Sequence, residues 1–164
     1  MTEKNPALKR NECLVSLSHE HHHGLVFCKR LKKAEHAKEN IIKKFVNDFW
    51  VKSLAKHFET EEKLFLPVMK ENALKTQFIN EHLQIKKLIS EIKSTDHNVQ
   101  KMALQLANIL NDHIRFEERI MFPEIEKIVD AEKLKKIGSE LKETEISAHN
   151  FLPEFWKHEN QQSN

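Results

Sequence analysis

Two stretches of the chain place metal-ligand chemistry at the same spacing. His57-Phe58-Glu59-Thr60-Glu61-Glu62-Lys63-Leu64-Phe65-Leu66-Pro67 and His113-Ile114-Arg115-Phe116-Glu117-Glu118-Arg119-Ile120-Met121-Phe122-Pro123 agree at the histidine, at both consecutive glutamates, at the basic residue and at the proline. A glutamate four residues after a histidine lies on the same helical face one turn on, so both side chains reach one site. The same faces carry Leu54, Leu64 and Val68 in the first stretch and Leu106, Leu110 and Ile120 in the second, so the polar pairs sit in apolar stripes. Each such group buried without a partner costs roughly 1–3 kcal/mol, and more if charged; a bound cation removes that cost.

Upstream of each stretch stands a Glu-His pair, Glu20-His21 and Glu81-His82, so the chain reads as a duplicated helical hairpin. His82 falls on the stripe of Phe78, Ile85 and Ile89. In the crowded run of His19, His21, His22 and His23, helical phase sets His21 on the stripe of Leu17, Leu25 and Cys28, with His22 as its substitute. His21, His57, Glu61, His82, His113 and Glu117 together are too many ligands for one tetrahedral zinc and suit two metal ions bridged by the glutamates. Imidazole and carboxylate without thiolate favour iron, manganese or zinc, and iron is the redox-capable member of that set.

The plain alternative is that these histidines and glutamates are solvated on helix surfaces, the usual fate of polar side chains. Two copies in register, each inside an apolar stripe and each matched to an upstream Glu-His, argue for the metal. Glu62 and Glu118 fit a supporting role behind the ligands or a place on the surface equally well. His36, His97, His149 and His158 follow no stripe and are expected in solvent. Cys28 reads as packing rather than chemistry.

The elements that must position these residues are helices. With 2 Gly, 4 Pro and no Tyr among 164 residues, the composition favours helix over sheet or disorder, and the length suits one domain. Apolar spacing predicts a first helix over 17–37, a second running up to Pro67, and a third through Phe78 to Ile92, stopped by Ser94-Thr95-Asp96. A fourth is expected through Leu104, Leu106, Ile109, Leu110, Ile120 and Met121 to Pro123 or just beyond. A shorter fifth is expected over 131–147, although Gly138 weakens it. The expected class is all-α, an antiparallel up-down-up-down four-helix bundle with a short C-terminal fifth helix. Its expected organisation is a polar N-terminal arm over 1–13, the bundle over 14–128, and a C-terminal helix and tail over 129–164 packed on it. Phe151, Phe155 and Trp156 either clamp one end of that bundle or meet a partner.

Composition limits the partners. Against 27 Lys and Arg stand 25 Asp and Glu, so a net charge of +2 offers no field for nucleic acid or an anionic membrane. No apolar run is long enough for a signal sequence or a bilayer span, and a cytoplasmic location is expected. Cys13 and Cys28 form no CxxC pair and are read as free thiols.

The succession of Glu-His, HFETEEKLFLP, Glu-His and HIRFEERIMFP, over about 14–127, resembles the hemerythrin-like HHE domains. The resemblance implies a four-helix bundle around two iron ions joined by an oxo or hydroxo bridge, with manganese or zinc as the other candidates. It implies that His57 and His113 are terminal ligands, Glu61 and Glu117 bridging carboxylates, and His82 the ligand of the third helix. Oxygen-carrying members place a second histidine four residues after the first in that helix; here the position is Lys86. Members with two HxxxE motifs look more like proteins that respond to iron, oxygen or nitric oxide, and some resemble iron-centre repair factors. The expected function is therefore a di-iron protein that binds or responds to a small diatomic ligand such as O2 or NO. The alternatives are a di-iron enzyme or repair factor acting on peroxide, NO or damaged iron-sulfur clusters, and a metal-free helical adaptor.

Overall fold

A computed structural model of the protein describes residues 10–142 and 150–160. Among them every regular element is helical, with no strand. Helix α1 covers Val15–Leu31 and follows a 3-10 turn at Glu12–Leu14. Helices α2 (Glu39–Phe49) and α3 (Ala55–Phe65) are joined without a break by a π-helical segment, Trp50–Leu54. Helix α4 covers Ala73–Ser94. Helices α5 (Val99–Phe116) and α6 (Phe122–Ile128) are likewise joined by a π segment, Glu117–Met121, and α7 covers Ala131–Lys142.

The ends follow from local chemistry. Asn72 caps α4, its side chain accepting from the backbone N–H groups of Leu74 and Lys75, and the Ser94-Thr95-Asp96 cluster ends that helix as expected. Asn98 starts α5 with φ 58°, a left-handed conformation that asparagine adopts more readily than most residues. Pro123 stands in the first turn of α6, directly after the π segment, and does not break the helix.

The first helix is shorter than the 17–37 that periodicity predicts. It stops at Leu31, and a separate 3-10 turn at Ala34–His36 leads into α2. Ile120, expected inward, is 55 % exposed, whereas Met121 is fully buried. The π segment explains this: its wider turn carries the inward phase to the residue four after Glu117 instead of three. Leu104, part of the apolar spacing of the same helix, is 47 % exposed. Of the expected fifth helix, 131–142 is helical and 143–147 lies outside the described residues.

The apolar core is divided in two. Along α1 and the turn before it, Leu14 and Leu17 belong to one cluster and Phe27, Cys28 and Leu31 to the other, with His21 between. From the first π segment into α3 the order is reversed: Leu54 and Phe58 lie in the second cluster, Leu64 and Phe65 in the first. Helix α4 passes from Phe78 through His82 to Ile85, Leu88 and Ile92, and α5 returns from Leu106 and Leu110 past His113 to Phe116 and Met121. A polar layer thus separates the two clusters, crossed once each by α1, α3, α4 and α5.

Helix α1 packs on α5, α4 on α5, and α2 on both α4 and α5. Helix α7 lies against α1 and the turn before it, with Leu134, Ile137 and Leu141 buried. Gly138 permits that approach, since a Cβ there would stand 2.9 Å from the Cβ of Cys13 and 3.0 Å from its Cα. At the opposite end Phe151 and Phe155 meet Phe45 edge-on and Trp156 lies tilted against it, and the Arg30 guanidinium lies 4.3 Å over the Trp156 ring.

Candidate metal centre

The polar layer holds the six candidate ligands named from the sequence. His21 comes from α1, His57 and Glu61 from α3, His82 from α4, His113 from α5, and Glu117 from the first position of the π segment after it. All six are buried, and both glutamates are completely so. His22, the substitute for His21, is exposed, as are His36 and His97. His149 and the side chain of His158 lie outside the described residues.

Every imidazole turns its Nε2 atom toward the two carboxylates. His57 Nε2 is 2.9 Å from Glu61 and His113 Nε2 is 2.7 Å from Glu117, the distances expected of a one-turn spacing. His21 Nε2 lies 2.8 Å from Glu117 and 3.4 Å from Glu61, while His82 Nε2 is 3.4 Å from each glutamate. Two donor sets result, each with its ligand atoms within 4.8 Å of one another: His21, His57, Glu61 and Glu117, and Glu61, His82, His113 and Glu117. Both glutamates belong to both sets.

These separations are short, yet several of the atoms are not aligned for hydrogen bonding. His21 Nε2, His113 Nε2, both Glu61 oxygens and Glu117 Oε2 are buried without a hydrogen-bond partner. Orphaned donors and acceptors at this density would be costly in an apolar interior, and a cation is what such a donor set fits.

Behind each imidazole stands a second carboxylate. Nδ1 of His21 donates to Glu118 at 2.6 Å, that of His57 to Glu20 at 2.5 Å, and that of His82 to Glu62 at 2.8 Å. Glu81 faces His113 Nδ1 at 3.6 Å. A carboxylate only accepts, so it holds the proton on Nδ1 and leaves the Nε2 lone pair for a metal. Cations steady two of these carboxylates. Lys86 donates to Glu62 at 2.7 Å, and Arg10 pairs with Glu118 and Glu126 while also donating to the Glu118 carbonyl.

For Glu62 and Glu118, equally consistent in sequence with the surface, the structure thus gives a place behind the candidate ligands His82 and His21. Glu20 and Glu81 carried no role in the sequence reading. The signal was present: a residue directly before an inward histidine is rotated about 100° from it and faces the neighbouring helix.

The electrostatics follow the same geometry. Burial alone would lower the histidine pKa values, but the facing glutamates outweigh it and push His57, His82 and His113 up to about 9, and His21 well above its usual value. Burial and mutual repulsion would raise the glutamates; the imidazoles prevail, holding Glu61 at about 2 and Glu117 well below the usual carboxylate range. Without metal the layer is a cage of imidazolium and carboxylate, with protons where a metal would sit.

A cleft of about 410 Å³, counted out to solvent, reaches this layer between α1, the first π segment, α3 and α5. It is lined in part by His23, Gly24, Ser53, His57, His113 and Ile114. Gly24 lets α1 and α5 close here, because a Cβ on it would meet Ile114 Cδ1 at 2.8 Å.

The family model described as the hemerythrin HHE cation-binding domain matches residues 14–125. No curated protein and no solved structure matches the chain.

Proposed function

We propose, from the premise that this chain belongs to the hemerythrin HHE cation-binding domain family, that it is a non-haem di-iron protein which binds or responds to O2 or NO. The observation that carries this reading is the polar layer itself: four buried histidines and two fully buried glutamates, with ligand atoms lacking hydrogen-bond partners. His21 and His57 would hold one ion, His82 and His113 the other, and Glu61 and Glu117, which occur in both donor sets, would bridge them. An iron pair, when bound, supplies a redox-active Lewis-acidic centre for a small ligand. Manganese or zinc would fit the same donors, and iron is preferred for its redox chemistry.

The four helical crossings of the polar layer support an antiparallel up-down-up-down four-helix bundle, since successive crossings run from opposite core clusters. We take residues 14–128 as that bundle, 129–164 as a C-terminal segment of which α7 packs on it, and 1–13 as an N-terminal arm of which Arg10 reaches Glu118. Lys86 is engaged by Glu62 at the edge of the layer and adds no ligand where oxygen carriers have a histidine. That favours a responsive or scavenging role over reversible oxygen transport. Free Cys13 and Cys28 suit a reducing compartment, which supports the cytoplasm. No helix among the described residues is long and apolar enough to cross a membrane.

The chain's own groups have defined tasks. The Nδ1-bound carboxylates orient the imidazoles, the two apolar clusters exclude water from both sides of the layer, and the cleft beside His57 and His113 admits a small molecule. The test is metal content and the near-ultraviolet and visible spectrum of tag-free protein purified from iron-replete cells without chelators. About two irons per chain, with a spectrum that changes on adding O2 or NO and no sustained consumption of either, is the expected result. Absence of metal, or a single zinc, overturns the di-iron reading, while steady turnover of peroxide or NO replaces the binding role with an enzymatic one.

A further inference from the structure

Three of the four histidines on α1 have no part in the buried layer. His19, His22 and His23 stand at positions i, i+3 and i+4 of the helix, the spacing that gathers side chains on one face, and that face is opposite His21. All three are exposed. Among the described residues none of their side chains engages in a hydrogen bond or ion pair, and the rings of His22 and His23 lie 6.0 Å apart.

Three unengaged imidazoles on adjacent turns form a donor set for a first-row divalent ion. The gathered donor sets in this structure are the two buried ones, so the trio would close on an ion by side-chain rotation, which exposed residues complete in picoseconds to nanoseconds. Position gives the trio a use. His23 also lines the cleft that leads to His57 and His113, and Glu20, beside it on α1, lines the same cleft and contacts His57. From His23 to Glu20 to His57 a side chain of a type able to bind a metal ion stands at each step, and side-chain exposure falls from 12 % at Glu20 to 7 % at His57.

We propose, resting on the reading of the buried layer as a metal centre, that His19, His22 and His23 form a second metal site on the outer face of α1. It captures a divalent transition-metal ion from solution and feeds it through the adjoining cleft. Imidazole nitrogen without carboxylate holds Fe2+ more loosely than the glutamate-containing centre, so transfer runs inward. Concentrating the ion at the mouth of the cleft raises its effective concentration at the buried ligands.

The experiment titrates tag-free, metal-free full-length protein with Zn2+ against a chromophoric competing chelator. It then follows anaerobic Fe2+ uptake by metal analysis of rapidly desalted samples. Wild type should bind three zinc ions per chain, H19N/H22N/H23N two, and E61Q/E117Q one. The triple variant should fill with iron to the wild-type final level, severalfold more slowly. Equal zinc counts in wild type and triple variant overturn the surface site, and equal iron-uptake rates overturn its feeding role. A wild-type count of one that disappears in the triple variant instead sinks the buried-centre reading while leaving the surface site in place.

Discussion

Each inward histidine has two faces, and the outer one decides how well the inner one can bind. Glu20 holds His57 Nδ1 at 2.5 Å, whereas Glu81 stands 3.6 Å from His113 Nδ1, beyond hydrogen-bond reach. Losing a carboxylate that fixes a ligating imidazole typically costs 10–100-fold in metal affinity. E20Q should therefore weaken metal binding by roughly that factor, and E81Q by clearly less, in competition titrations of the two variants. Equal losses would show that the different separations have no energetic meaning. At this scale the sequence was highly informative about the inward residues, because the period of 3.6 separates His21 from His22 by about 100°. It was less so about their supporters, since a glutamate at the edge of a stripe is as compatible with water as with a neighbour's imidazole.

The helices show where periodicity alone fails. A fixed phase carried through Glu117 puts Ile120 inward, but the π segment inserts extra backbone and delivers Met121 instead. The other π segment, Trp50–Leu54, lies one turn before His57 and contributes Ser53 and Leu54 to the cleft. Gly138 gives the opposite lesson: helix propensity counts it against α7, yet the contact with Cys13 requires a residue without a side chain. G138A gains up to about 1 kcal/mol of propensity but must push aside the Cys13 backbone. A net loss of roughly 1–3 kcal/mol is expected in urea unfolding. A rise in stability would mean that α7 can shift away from the Glu12–Leu14 turn without cost.

Across the whole molecule, the polar layer couples folding to protons and to metal. His57, His82 and His113 are raised from 6.5 to about 9 in the folded, metal-free chain. A raised histidine contributes stability that is fully present below its unfolded value of 6.5 and is lost as pH climbs through its folded value. Glu61, lowered to about 2, contributes stability present above its unfolded value of 4.5 and lost as pH falls toward 2. Metal-free protein should therefore be most stable between these limits, and its melting temperature should fall as pH rises from 6.5 through 9. A metal held by the Nε2 atoms would take the place of their protons, so loading should release protons and tighten over the same interval. Thermal melts of both forms across that range, with a pH indicator in weakly buffered solution, check the sign. A metal-free melting temperature that climbs toward pH 9 would contradict the imidazolium-carboxylate cage.

The helical class, the inward phase of the six candidate ligands and the duplication of the Glu-His and HxxxE motifs were all determined by the sequence. Each depends on periodicity within a single helix, and periodicity is a local property. The tertiary structure decided which glutamate backs which histidine: Glu118 from the second half reaches His21 in the first, and Glu62 from the first half reaches His82 in the second. It also placed Arg10 on Glu118, Gly24 against Ile114 and Gly138 against Cys13. These contacts join residues far apart in the chain, and they depend on how closely whole helices approach, a quantity set by the packing of all their side chains together.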